Sequence, residues 1–273
     1  MVNGYRPASL EEALALLAQK ELTPYAGGTD LMLEKAQSPR EYLFIGALPE
    51  LRQICTDGEY VRIGAAVTFT QALEDERVPA LMRRAVSQIA APAIRNAGTF
   101  GGNLGNGSAK ADSVLIDFVL DAKLRLVSLR GERLAAVEDF CQGRKKLDLA
   151  RDELIAEILL PAEKGESWSY HKVGGRSALA ISRVSFAGVY QETEGRISRC
   201  AAAFGAVSDT VLRFRDLEGM LVGLTPAQAR EKKEDFLAAV SRRMQLTAGR
   251  VSAEYRKLVC LNLLREFLAE HGI

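Results

Sequence analysis

The chain has 273 residues, 48% of them apolar, with 36 basic against 35 acidic residues and a formal net charge of +1. That is enough apolar material for one large domain or two ordinary ones, and the even charge balance gives no overall pull toward nucleic acid, a membrane surface or a polyanionic partner. Glu11 and Glu12 interrupt the apolar pattern of the first twenty residues and no later segment reaches spanning length, which argues against a secretory leader or a membrane span and predicts a cytoplasmic protein. Cys55, Cys141, Cys200 and Cys260 are dispersed without a C-x-x-C pair, and the only histidines are His171 and His271. This is poor material for a zinc site, a local iron–sulfur cluster or a histidine-based triad, so no metal site is expected.

In chain order, Ser9-Leu-Glu-Glu12 has the spacing of a capping box, and Leu10, Ala13, Leu14 and Leu17 recur on one face. That spacing predicts a helix over about 9–20, ending before Thr23-Pro24. Tyr25 to Leu31 reads as an extended approach into a double-glycine turn, with helix resuming at Met32, Leu33 and Lys35. Strand, glycine turn and helix N-terminus together present unpaired N–H groups and a positive dipole end to a phosphate; a plain tight turn is the alternative for Gly27-Gly28 taken alone. A strand at 42–45, a turn at Asp57-Gly58 and an alternating strand through Val61 and Ile63 follow, then a helix over about 79–90 that stops before Pro92.

The densest signal is Asn96 to Asp112, where glycine stands at 98, 101, 102, 105 and 107. Each glycine inside a regular element costs roughly 0.5–1 kcal/mol against alanine, so the stretch reads as a loop kept for positive φ or for a ligand lying on the main chain. Successive N–H groups can converge there on one anion, with Thr99, Asn103, Asn106 and Ser108 adding short polar side chains. Taken alone it is either a phosphate cradle or a mobile surface loop.

Residues 114–120 read as an inward-packing helix with Asp112 as its N-cap, and 124–128 as the first strand of a hairpin turning at Arg130-Gly131. Arg144-Lys145-Lys146 is a solvated basic loop or a specific anion contact. An apolar strand at 154–160 is closed by Pro161, and the polar link behind it marks a domain boundary at about 163. Beyond it, strands at 169–173, 182–191 and 196–204 predict a small antiparallel sheet, followed by helices from near Pro226 and from about Ser252.

Ala-Gly-Gly-Thr-Asp-Leu at 26–31 and Gly-Thr-Phe-Gly-Gly-Asn-Leu at 98–104, with Ser108 and Asp112 just behind, together resemble the flavin-binding subunit of the molybdenum hydroxylases, the xanthine dehydrogenase and carbon monoxide dehydrogenase family. The resemblance continues in Gly143 to Lys146, Asp152 to Ile155, Lys172 to Ile181, Gly205 to Ser208 and Ser252 to Arg256. It implies an α+β fold: a two-subdomain FAD-binding domain of the p-cresol methylhydroxylase type over 1–163, with a subdomain boundary near 57, and a C-terminal α+β domain over 164–273 with a small antiparallel sheet and helices. It also implies noncovalent FAD. Ala26, Gly27, Gly28, Thr29, Asp30 and Leu31 on one side, and Thr99, Phe100, Gly101, Gly102 and Asn103 on the other, match the loops that wrap the pyrophosphate and ribityl chain. Ser108 lies behind the second loop, Asp112 matches a contact at the nucleotide end, Ile155 an apolar residue near the isoalloxazine ring, and Lys172 a lysine at the ring's polar edge. A cation there would stabilise the charge a reduced ring gains; an exposed strand lysine is the alternative reading of Lys172. The chain departs from its relatives at Phe100, which implies altered packing over the flavin, and at Ala109-Lys110.

The resemblance places the molybdenum cofactor and [2Fe-2S] clusters only in partner subunits, an iron–sulfur subunit and a large molybdenum-binding subunit. The function it implies is electron transfer from that iron–sulfur partner through FAD to an external acceptor such as NAD. A stand-alone flavin-dependent reductase of the same fold and a non-catalytic flavin-binding sensor are the alternatives.

Overall fold

The computed structural model describes residues 4–33, 40–162 and 165–273; Lys35, expected in the helix after the first glycine turn, lies outside the described residues. The chain forms two compact units, Met1–Ser108 with Asp121–Ala162, and Ala109–Leu120 with Glu163–Ile273.

In the first unit the helix Leu10–Gln19 is capped by Ser9 Oγ, which accepts the Glu12 N–H at 3.2 Å. The reciprocal half of the capping box does not form, because the Glu12 carboxylate takes the Ala8 N–H at 2.7 Å. The helix buries Ala13, Leu14 and Leu17 in a cluster with Leu43, Ile45, Leu48 and Leu51. Beside it lies a parallel three-stranded sheet in the order Gly4–Tyr5, Tyr42–Phe44, Thr23–Tyr25. A five-stranded antiparallel sheet follows in the order Ile54–Thr56, Tyr60–Gly64, Leu154–Pro161, Lys123–Ser128, Gly131–Ala136. Its first strand starts at Ile54, just upstream of the Asp57-Gly58 turn. Leu154–Pro161 is its middle strand and is buried on both faces, which is why it reads as an almost unbroken apolar run.

The second unit is built on a four-stranded antiparallel sheet in the order Ser167–Val173, Val184–Thr193, Arg196–Gly205, Leu212–Arg213. One face carries Phe186, Phe204 and Cys200 into a cluster with Phe236, Leu237 and Val240 of the helix Pro226–Arg243 and Leu264 and Phe267 of the helix Ala253–Glu270. Gly188 is required there, since a Cβ would stand 2.7 Å from the Phe267 ring.

The other face is covered by the helix Asp112–Val119. A Cβ on Gly205 would approach Leu115, Arg199 Nη2 donates to Val119 O at 2.8 Å and Arg213 Nη1 donates to Phe118 O at 2.6 Å. All eight residues of this helix are buried. A helix with no polar face has to be enclosed, and the enclosing sheet lies far downstream in sequence. Residues 109–120 therefore pack with the second unit although they precede Glu163 in sequence.

None of the four cysteines forms a disulfide; Cys200 and Cys260 are buried, and burial pushes both thiols up to about 12. No helix among the described residues is long and apolar enough to cross a membrane.

Candidate functional site

The strand Thr23–Tyr25 runs into the segment Ala26–Leu31, which turns at Gly28 with φ +66° and enters a 3-10 helix at Leu31–Leu33. Gly28 O accepts the Met32 N–H at 3.0 Å and Asp30 O the Leu33 N–H at 2.9 Å. The N–H groups of Ala26, Gly27, Gly28, Thr29, Asp30 and Leu31 themselves find no acceptor among the described residues. Consecutive unpaired donors on a turn of small residues are the kind of surface that holds an anion.

The second glycine stretch is helical where a loop was expected: Phe100–Gly105 is an α-helix with Thr99 at its N-cap, and Thr99 Oγ1 accepts the Gly102 N–H at 3.1 Å. Its other leading donors are engaged as well. Phe100 N–H goes to Val67 O at 3.2 Å, Gly101 N–H to Ala65 O at 2.8 Å and Asn103 N–H to Thr99 O at 2.9 Å. The unpaired main-chain donors thus lie on the 26–31 side, and Phe100 to Asn103 contribute a different surface.

The glycines divide by what they face. Gly27 packs on Ala97, whose carbonyl oxygen occupies the place of a Cβ, and Gly101 packs in the same way on Ala65. These two let the chain close on itself and bring the glycine stretches into contact. Gly102 and Gly105 are exposed; a Cβ on Gly102 would meet only Thr99 Oγ1, at 2.8 Å, and one on Gly105 would meet nothing within 4 Å. They leave one side of the helix as bare backbone. Phe100 points the other way, 1% exposed and edge-on to Phe69 at 5.2 Å, so it is core and does not lie over a ligand surface. Ile155, 6% exposed, sits in the strand directly below: Ala65 N–H donates to Ala156 O at 2.9 Å while Ala65 O receives the helix at Gly101.

Asn106 and Lys145 tie this surface together. The Asn106 carboxamide donates to the Asp30 carboxylate and accepts from Lys145 Nζ. Lys145, at φ +59°, also donates its N–H to Gly107 O at 2.9 Å. Gly107 has φ +59°, and a Cβ there would stand 2.9 Å from Lys145 Cα. The basic loop at 144–146 is therefore docked on the glycine stretch, in keeping with the anion-contact alternative for Arg144-Lys145-Lys146. Ser108 is half-buried at the end of the segment. Unpaired donors, a bare glycine face and an adjacent ammonium together fit a diphosphate-bearing cofactor.

Asp112 and Lys172 belong to the second unit. Asp112 opens its helix without capping it; the N-cap is Ala111, which makes no side-chain bond. The Asp112 carboxylate instead accepts from Lys172 Nζ at 2.7 Å and from Ser182 Oγ at 2.8 Å. Lys172 is thus neither an exposed strand lysine nor an unmatched cation. Strand alternation explains its direction: His171 pairs with Phe186 on the face of the last helix, and Lys172 projects to the opposite face, toward Asp112. The expected residues fall into two groups, 26–31 with 99–103 in the first unit and Asp112 with Lys172 in the second.

Residues 1–163 match the family described as "FAD binding domain in molybdopterin dehydrogenase", and residues 168–271 match "CO dehydrogenase flavoprotein C-terminal domain". The xanthine dehydrogenase FAD-binding subunit of Escherichia coli O157:H7 is 36% identical over 226 residues, covering 78% of this chain and 77% of that one. The nicotine 6-hydroxylase medium subunit of Paenarthrobacter nicotinovorans is 30% identical over 275 residues, covering 97% and 95%. Among solved structures, carbon monoxide dehydrogenase from Hydrogenophaga pseudoflava matches with a TM-score of 0.89 at 27% identity, over 97% of this chain and 95% of that chain. The mixed helix-and-sheet architecture expected from the residues is the one found, and the chain belongs to the FAD-binding medium-subunit family of the molybdenum hydroxylases, a family of oxidoreductases.

Proposed function

We propose that this chain is the electron-transfer subunit of a multi-subunit molybdenum hydroxylase, taking electrons from an iron–sulfur subunit and delivering them to an external acceptor such as NAD. In this reading substrate is oxidised at a large molybdenum-binding subunit, the molybdenum cofactor and [2Fe-2S] clusters reside in those partners, and the complex works in the cytoplasm. Bound FAD supplies the redox chemistry that links donor and acceptor.

The observation that carries the reading is the run of unpaired donors from Ala26 to Leu31, beside the bare Gly102 and Gly105 face of the adjoining helix. A diphosphate is stabilised by neutral N–H groups at close range, and the turn offers them already oriented by Gly28. Asn106 holds Asp30 and Lys145 to one another, which fixes the turn against the glycine stretch and sets an ammonium beside it. We assign Thr29, Thr99 and Gly101 to Asn103 to the same cofactor surface, with Phe100 packed in the core behind it, Ser108 to its end and Ile155 to the apolar side of the ring. Lys172 and Asp112 act as one unit: with its charge matched, Lys172 offers the ring edge a fixed N–H donor, and Asp112 and Ser182 hold that donor in place. The flavin-binding domain is taken as 1–163 and the C-terminal domain as 164–273, with 109–120 lent to the packing of the latter.

Purified protein should be yellow, release FAD on denaturation and co-purify with an iron–sulfur subunit and a large molybdenum subunit, and the isolated chain should not oxidise substrate. A colourless chain that rejects added FAD would overturn the reading.

A further inference from the structure

His171 lies on the edge strand Ser167–Val173, and Glu266 and Glu270 lie at the end of the helix Ala253–Glu270. One donor atom from each residue lies within 4.8 Å of the other two. The glutamates are four residues apart and share one helix face, where two carboxylates repel. The neighbouring Arg265 faces Glu234 at 3.9 Å, and among the described residues neither Glu266 nor Glu270 has a lysine or arginine at salt-bridge distance. Glu270 is held in orientation by Ser169, whose hydroxyl donates to its carboxylate. His171 is half-buried and backed by the Phe186 ring at 6.4 Å, so the imidazole is anchored, while both carboxylates are exposed and Glu266 is unrestrained by any such bond among the described residues.

We propose that His171, Glu266 and Glu270 form a binding site for a divalent ion of the zinc type, separate from the flavin surface. One imidazole nitrogen with two carboxylate oxygens suits a first-row transition ion, whereas calcium and magnesium favour all-oxygen sets. Bonds of about 2.0–2.2 Å place tetrahedral ligand atoms roughly 3.3 Å apart, and rotation of the exposed glutamates closes that distance from the present one. Water fills the remaining position. The ion neutralises the paired carboxylates and ties the end of the last helix to the edge strand, a structural role.

The test uses the full-length protein, purified without a metal-binding tag, titrated with ZnCl2 by calorimetry and with CoCl2 by visible spectroscopy. One saturable equivalent is expected, together with a raised thermal midpoint. His171→Ala and Glu266→Gln should each weaken binding at least tenfold, while Glu254→Gln, at the start of the same helix, should not. The half-buried Cys55 and Cys141 are the competing ligands, so the cobalt spectrum should lack a thiolate charge-transfer band and binding should survive Cys55→Ser and Cys141→Ser. Glu266 is exposed, and its variant remains informative even where His171→Ala folds poorly. Absence of a saturable equivalent, or wild-type affinity in Glu266→Gln, overturns the site.

Discussion

The Lys172 ammonium stands 2.7 Å from the Asp112 carboxylate with both side chains 7% exposed, and Ser182 Oγ donates to the other carboxylate oxygen. Removing one partner of such a pair leaves an uncompensated buried charge, which costs about 3–5 kcal/mol, whereas replacing both with apolar residues of similar size is often close to neutral. Lys172→Met and Asp112→Leu should therefore each lower stability by that order, and the double variant should recover most of the loss. Urea denaturation of the four proteins measures it; additive losses would show that the two residues are not coupled.

The two classes of glycine make opposite predictions. Gly27→Val drives a side chain into the Ala97 carbonyl and should destabilise the flavin-free chain. Gly105→Ala meets nothing within 4 Å in the chain and should stabilise it by about 0.5–1 kcal/mol, the ordinary helix preference for alanine. If the cofactor lies on the Gly102 and Gly105 face, the same Gly105→Ala protein should retain less FAD. Thermal midpoint and flavin-to-protein ratio, measured on one preparation, separate the two effects. Gly28→Val is a poorer probe, because its side chain would strike Tyr25 and take up a positive φ whatever the ligand does.

Much of the fold was legible because its elements announce themselves locally. Ser9 caps its helix, Thr225 and Pro226 open the helix Pro226–Arg243, and the strand at 154 to 161 shows the apolar run of a middle strand. The family motifs likewise located both glycine stretches. What the sequence hid depends on partners distant along the chain. Five glycines argued against a helix at 100 to 105, yet the Phe100 and Gly101 N–H groups donate to Val67 O and Ala65 O and hold one there. Asp112 has the residue type of a cap, but Lys172 and Ser182 take its oxygens. The approach of Glu266 and Glu270 to His171 is hidden in the same way, since nothing local shows that the last helix turns these carboxylates toward the edge strand.

Lys145 should matter to flavin and little to folding. Its ammonium reaches Asn106, which in turn holds Asp30, and ion pairs or hydrogen bonds at exposed positions contribute only about 0–1 kcal/mol to stability. Lys145→Met is expected to keep the thermal midpoint of the flavin-free chain within a few degrees while raising the Kd for FAD, with Lys145→Arg close to wild type. Asn106→Leu should weaken FAD in the same sense by releasing the turn from the glycine stretch. Fluorescence titration of flavin quenching measures both, and unchanged affinity in the two variants would remove Lys145 from the cofactor surface.

Asp117 lies fully buried in the helix Asp112–Val119, and neither carboxylate oxygen has a hydrogen-bond partner among the described residues. Burial pushes its pKa well above the ordinary value of 3.8, so the folded state keeps the proton that the unfolded state gives up. For a carboxyl whose folded pKa is raised, stability is fully present below the unfolded pKa and declines as pH rises from about 4 toward the folded pKa. Asp117→Asn keeps the shape without the ionisation. Its stability minus that of wild type should be smallest at about pH 4 and grow by at most about 1.4 kcal/mol per pH unit as pH rises toward the folded pKa, the free energy of one proton held by the folded wild type alone. Chemical denaturation of both proteins across that range tests it; a difference that stays flat with pH would mean that Asp117 does not titrate on unfolding.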